Sequence, residues 1–194
     1  MKNFLVPSVL SLAALAGSAR ADLIYATTLE GTLISFDSGA PQTILGGVAI
    51  SGMQANEVVR GLDMRPATGE LYALGSFSRL YRIDPATGAA TQVGAQFSTP
   101  LSGSQFGFDF NPTVDRIRVV SDADQNLRLH PVTGAVASVD GTLAYNTGDS
   151  GFGLNPNIIA SAYTNNFPGA TTTTLFGIDS ARDALVIQNP PNSG

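Results

Sequence analysis

Three six-residue strings in this chain are variants of one phrase: Gly61-Leu62-Asp63-Met64-Arg65-Pro66, Gly107-Phe108-Asp109-Phe110-Asn111-Pro112 and Gly151-Phe152-Gly153-Leu154-Asn155-Pro156. They recur at about 45 residues, the period of a supersecondary unit whose apolar face only neighbouring units can cover. Such a chain folds as an array or ring of similar units. The repeat fixes an architecture before it says anything of an activity.

The second unit shows the plan most clearly. Strands are expected over 61–64, 70–74, 79–83 and 90–93. Arg65-Pro66-Ala67-Thr68-Gly69 and Asp84-Pro85-Ala86-Thr87-Gly88 separate them as turns, with proline presetting the first turn position and glycine supplying the left-handed one. The third unit maps onto it with strands over 107–110, 116–120, 126–129 and 135–139. The first unit enters late, at 23–27, 32–36 and 42–45. The last is read as 151–154, 159–164, 174–178 and 184–188. Third strands alternate: Tyr81 and Ile83 against Arg82, Leu127 and Leu129 against Arg128, Ile34 and Phe36 against Ser35, Phe176 and Ile178 against Gly177. This period of two marks one packed face, here the Tyr, Ile, Leu and Phe side. The expected fold is all-β, a β-propeller-like array of four-stranded antiparallel meander blades. About four are visible, at roughly 22–60, 61–106, 107–150 and 151–194. A first unit without its opening strand suggests circular closure. The abrupt ending at Asn189–Gly194 suggests a longer ring of which this is a part.

The stretch Gly107-Phe108-Asp109-Phe110-Asn111-Pro112-Thr113-Val114-Asp115-Arg116-Ile117-Arg118-Val119-Val120-Ser121 closely resembles the signature of a bacterial family catalogued as domain of unknown function 4394. So do 79–88 and Ala162-Tyr163-Thr164-Asn165-Asn166. The resemblance covers nearly all of the chain beyond its first 21 residues. It implies an exported protein with propeller-like repeats and a further repeat unit after Gly194. It brings no activity and no catalytic residue with it.

The N-terminus reads independently as an export signal. Lys2 precedes a short apolar run over 4–17, and Ala19-Arg20-Ala21 offers a cleavage point after Ala21. The run is shorter than the roughly 20 residues of a spanning helix. Cleavage would leave eight arginines, no lysine and 15 acids, a formal charge of −7. That balance argues against nucleic acid and anionic membranes as partners. The chain has no cysteine. Disulfides, thiolate metal sites and cysteine nucleophiles are therefore excluded, and stability must come from packing. The expected location is periplasmic or extracellular.

Arg116 and Arg118 flank Ile117 and so share a strand face. With Asp109, Asp115 and Arg128 they could line a polar groove, and planar guanidinium groups suit carboxylate or phosphate ligands. Charge pairs on a solvated sheet face are the plainer reading. Asp122, Asp124 and Asn126 place oxygens at alternate positions, like the start of a calcium loop. The sixth and twelfth positions hold Leu127 and Thr133 instead of Gly and Glu, so a polar hairpin tip is the simpler assignment. Asp63 and Asp109 occupy one repeat position, with Gly153 in their place in the last unit. They are read as accepting backbone hydrogen bonds within their own turns. His130, the single histidine, stands where Asp37, Asp84 and Asp179 stand in the other units and is read as a turn residue. No nucleophile elbow, phosphate loop or dinucleotide fingerprint is present. Phe97 and Phe167 fall in expected loops and are candidates for a contact surface.

Three functions remain open at this point. The first is a non-enzymatic exported module whose loops bind a protein, glycan or small ligand. The second is a hydrolase or lyase with a polar site near Asp109, Asp115, Arg116 and Arg118. The third is a structural, envelope-associated repeat protein.

Overall fold

The computed structural model describes residues 21–194, so the expected export signal lies, but for Ala21, outside the described residues. Among those residues every regular element is a strand: β1 (Leu23–Thr27), β2 (Thr32–Asp37), β3 (Ile44–Ala49), β4 (Val59–Met64), β5 (Leu71–Gly75), β6 (Arg79–Ile83), β7 (Ala90–Val93), β8 (Phe106–Asn111), β9 (Arg116–Ser121), β10 (Asn126–Leu129), β11 (Val136–Val139), β12 (Ile158–Tyr163), β13 (Leu175–Asp179) and β14 (Ala184–Ile187). They form four consecutive antiparallel meanders: sheet 1 (β1-β2-β3), sheet 2 (β4-β5-β6-β7), sheet 3 (β8-β9-β10-β11) and sheet 4 (β12-β13-β14). The array is propeller-like, with β1, β4, β8 and β12 meeting one another from sheet to sheet. No helix among the described residues is long and apolar enough to cross a membrane.

The turn chemistry explains the tight meanders. Gly88 (φ 74°) and Gly134 (φ 68°) return their N–H groups to the carbonyls of Asp84 (2.8 Å) and His130 (2.9 Å). In these two turns Asp84 Oδ1 accepts the N–H of Ala86, and His130 Nδ1 accepts that of Val132. The histidine thus does the aspartate's work in the same turn.

The core is a stack of interleaved sheet faces. Between sheets 1 and 2, Leu33 packs with Leu71, Ala73, Tyr81 and Ile83. Between sheets 2 and 3, Tyr72, Leu74 and Leu80 meet Phe108, Phe110, Ile117, Val119, Leu127 and Leu129, with Tyr72 edge-on to Phe110 at 5.3 Å. Fully burying each leucine, isoleucine, valine or phenylalanine among them contributes about 1.5–3 kcal/mol. Phe97, expected in a contact loop, is buried in this second layer, whereas Phe167 is exposed.

Sheet 4 corrects the expected phasing. Residues 151–154 form a turn, not a strand, and Gly153 sits at φ 81°. The strand that packs on β8 is β12, read from sequence as a second strand. A Cβ on Gly61 would strike Phe108, and one on Gly107 would strike Ser161. Ser161 therefore takes the place of Phe108, and Ala162, not Gly153, takes that of Asp109. Asp179 correspondingly ends β13, the second strand of its sheet, and so precedes a second-to-third turn rather than the third-to-fourth turn of His130 and Asp84. The end sheets have three strands rather than four, and their expected packed faces are reversed. Leu33 and Leu175 are buried, while Ile34 and Phe36 are only half-buried and Ile178 is exposed on the outward side.

Candidate functional site

Strand register gives sheets 2 and 3 a residue-by-residue equivalence. Asp63 faces Tyr72, which faces Arg82; Asp109 faces Arg118, which faces Arg128. Extending the ladders makes Glu70 equivalent to Arg116, Leu80 to Asn126 and Val93 to Asp140. These positions face the next sheet in both cases. Tyr72, Leu80 and Val93 belong to the apolar wedge between sheets 2 and 3. Arg118, Asn126 and Asp140 replace that wedge with a charged one between sheets 3 and 4.

Arg118 is the hub of that wedge. Its side chain is 2% exposed, and its guanidinium donates to Asn126 Oδ1 (2.6 Å), Asp140 Oδ2 (2.6 Å), Asn192 Oδ1 (2.7 Å) and the Tyr163 hydroxyl (3.4 Å). Tyr163 thereby meets Arg118 where the equivalent Phe110 meets Tyr72. Asp140 also accepts a two-pronged contact from Arg128 (2.7 and 2.9 Å) and a bond from Ser138. Burial pushes the Asp140 carboxyl up, but the bonds from Arg128, Ser138 and Arg118 outweigh it and hold it below the usual carboxylate range. Asn126 completes the network by donating to the carbonyls of Gly141 and Pro191.

A cavity of about 340 Å³ opens beside this network, lined by Asn111, Arg116, Arg118, Arg128, Tyr163 and Asn192 among others. Arg116 donates only to the backbone carbonyls of Val114 and Asp115, and among the described residues no carboxylate pairs with it. Three guanidinium groups therefore face one carboxylate. The equivalent cleft between sheets 2 and 3, about 320 Å³, is lined by Arg65, Glu70, Tyr72 and Arg82. There the charges cancel: Arg82 pairs with Glu70 (2.6 Å), and Arg65 makes a two-pronged contact with Asp115 (2.8 and 2.5 Å).

The structure thus brings together Arg116, Arg118 and Arg128 of the expected groove and directs the two acids elsewhere. Asp115 turns to Arg65 of sheet 2, whose guanidinium holds it below the usual range. Asp109 Oδ2 accepts the N–H of Tyr163 (2.6 Å), as Asp63 Oδ2 accepts that of Phe110 (2.8 Å). These carboxyls bridge to the first strand of the next sheet rather than closing their own turns, although Asp63 also accepts from neighbouring Met64. Burial raises both above the ordinary carboxylate range, and for Asp109 the Asp63 charge adds to it. The calcium-loop candidates do not converge. Asp122 takes the Ser104 N–H and hydroxyl, Asp124 accepts from Asn155, and Asn126 points inward to Arg118. Among the described residues no group of three His, Cys, Asp or Glu side chains could hold a metal ion.

Asp140, Tyr163 and Asn192 are site residues that composition and motif reading passes over. The one available signal was the exchange of Tyr72, Leu80 and Val93 for Arg118, Asn126 and Asp140 at matching repeat positions.

No curated protein matches the chain. Among solved structures it is similar to BBS1N in complex with ARL6DN, at 16% identity and a TM-score of 0.43 over 83% of this chain and 48% of that one. It is also similar to BamB from Moraxella catarrhalis, at 14% identity and a TM-score of 0.34 over 86% of this chain and 49% of that one. The chain spans about half the length of each. The model of the family described as domain of unknown function (DUF4394) matches residues 32–194, and the chain belongs to that family.

Proposed function

We propose that this protein is a non-enzymatic, exported binding module that takes a small anionic ligand, bearing a carboxylate, phosphate or sulfate group, in the cleft between sheets 3 and 4. The observation behind this reading is the internal comparison. Two equivalent clefts of similar size carry different charge, one neutralised and one with guanidinium groups in excess. Exchanging a well-packed apolar wedge for a buried ionic one is usually neutral or costly for stability, so a role other than folding accounts for it best. Arg116 and the outer edge of Arg128 supply the donors that a ligand oxygen would meet, in the geometry arginine offers to planar or tetrahedral anions. Asp109 and Asp115 both bond away from the cleft, which favours a binding role over hydrolase or lyase chemistry.

Titration calorimetry with sulfate, citrate and galacturonate tests the reading. Arg116→Ser should abolish binding while leaving unfolding unchanged, because Arg116 bonds only to neighbouring carbonyls. Arg82→Ser, in the neutral cleft, should leave binding intact. Equal losses in both variants, or no binding by any of the three anions, would count against the cleft.

A further inference from the structure

The two buried carboxyls form a ladder that ends at the cleft. Asp63 and Asp109 stand at equivalent positions on β4 and β8, which pack on one another. Each caps the N–H of the next first strand, Phe110 on β8 and Tyr163 on β12. Ala162 occupies the corresponding position on β12, so the ladder stops there. Tyr163 is held at both ends: its backbone by Asp109, its hydroxyl by Arg118 in the cleft. Arg118 is also the direct cross-strand partner of Asp109.

We infer that Asp109 is a positioning residue for the anion cleft, and that its proton sets how tightly the cleft holds its ligand. The inference rests on the anion-binding reading above. With the proton present, Asp109 is neutral, and the cleft keeps its excess of guanidinium charge. With the proton gone, a carboxylate stands beside Arg118, and a bond to the Tyr163 N–H changes character at the same time. The added negative charge disfavours a bound anion and outweighs the firmer hold on Tyr163. A unit charge about 8 Å away at an intermediate effective dielectric weakens binding on the order of 5-fold. Burial and the neighbouring Asp63 raise the Asp109 carboxyl, which brings the transition toward neutral pH. The charged and titratable groups around Asp109 are Asp63 on β4, with Arg65 and Tyr72 behind it, Arg118 on β9, Arg128 on β10, Tyr163 on β12, and Asp140 after β11. Asp140 lies below the usual range and stays ionised throughout, and Arg65 and Arg128 are held above their usual value.

The test is sulfate affinity by calorimetry from about pH 5 to 9, a window in which sulfate keeps its charge and ordinary carboxylates are already ionised. Wild type should weaken several-fold as pH rises. Asp109→Asn keeps an acceptor for the Tyr163 N–H but cannot ionise, so it should bind with the low-pH affinity at every pH. Asp109→Ala should bind more weakly at every pH through loss of the hook, and the Asn variant should rescue it. His130→Gln controls for the single histidine and should keep the wild-type profile. A flat wild-type profile, or an Asn variant with an unchanged slope, overturns the coupling while leaving the anion site standing. A slope lost in His130→Gln also overturns it. Folded protein that binds no sulfate at any pH removes both readings together.

Discussion

Replacing Arg118 with methionine is the sharpest perturbation of the wedge between sheets 3 and 4. Methionine keeps the apolar stem and removes four donated hydrogen bonds. Removing one partner of a buried ion pair ordinarily costs about 3–5 kcal/mol, because the remaining charge stays buried and unpaired. Here Asp140 keeps Arg128 and Ser138, which places the cost at the low end. The buried Asn126 Oδ1 then lacks a donor, adding about 1 kcal/mol or more. Asn192 is exposed and can turn to water. A total of about 4 kcal/mol follows, which lowers Tm by roughly 8–16 °C in a domain of this size. Arg128→Met is the control. Its side chain is 34% exposed, so the same carboxylate contact is screened and its loss costs about 1 kcal/mol or less. Guanidinium and thermal unfolding of both variants give the comparison. Equal costs, or a cost below about 1 kcal/mol for Arg118→Met, would refute the idea that buried charge at this position ties the two sheets together.

Four further outcomes follow from the same geometry. Asp109→Asn should remove a pH-dependent loss of stability. Folding raises the pair's pKa, so its contribution is complete below about pH 4 and is lost as pH climbs through the pair's native range. Asp115, Asp140 and Asp179, held low, act oppositely and only at acid pH, so urea midpoints from about pH 5 to 9 isolate the pair. Gly107→Ala should cost about 1–3 kcal/mol, because its Cβ would lie 2.5 Å from the Ser161 backbone nitrogen, whereas Gly69→Ala meets only open space and carries the left-handed penalty of about 1–2 kcal/mol. Similar costs accompanied by no shift in β12 resonances would contradict the close approach of the first strands. Changing both Leu185 and Ile187, exposed on the outward face of sheet 4, to glutamate should shift stability by less than about 0.5 kcal/mol each and reduce hydrophobic-dye binding.

Sheets 2 and 3 were legible in the sequence because their turns carry proline and glycine at fixed offsets and their strands alternate cleanly. Sheet 4 misled for a physical reason. Gly151-Phe152-Gly153-Leu154-Asn155-Pro156 copies the phrase of a first strand but lacks its aspartate, and Gly153 takes a positive φ that ends extension. The true first strand, with Ala160, Ser161, Ala162 and Tyr163, keeps the small residues the close approach requires and loses the motif's recognisable letters. The packed side of the end sheets was misread because alternation shows that two faces differ, not which one a neighbour covers. In sheets 1 and 4 both faces are apolar enough to read as core.

The cleft was half legible, and the division has a cause. Arg116, Arg118 and Arg128 could be grouped because strand period and hairpin register place them on one face. Asp140 and Asn192 could not: Asp140 reaches Arg118 from 22 residues away past the end of β11, and Asn192 from 74 residues away across a sheet boundary. What locates the site is the difference between units, not the repeat itself. Repetition fixes the positions where neighbouring sheets meet, and packing alone would fill each of them with the Tyr, Leu and Val found in sheet 2. Where Arg, Asn and Asp stand instead, the chain departs from the arrangement its own fold makes easiest, and that departure marks the place to look for a ligand.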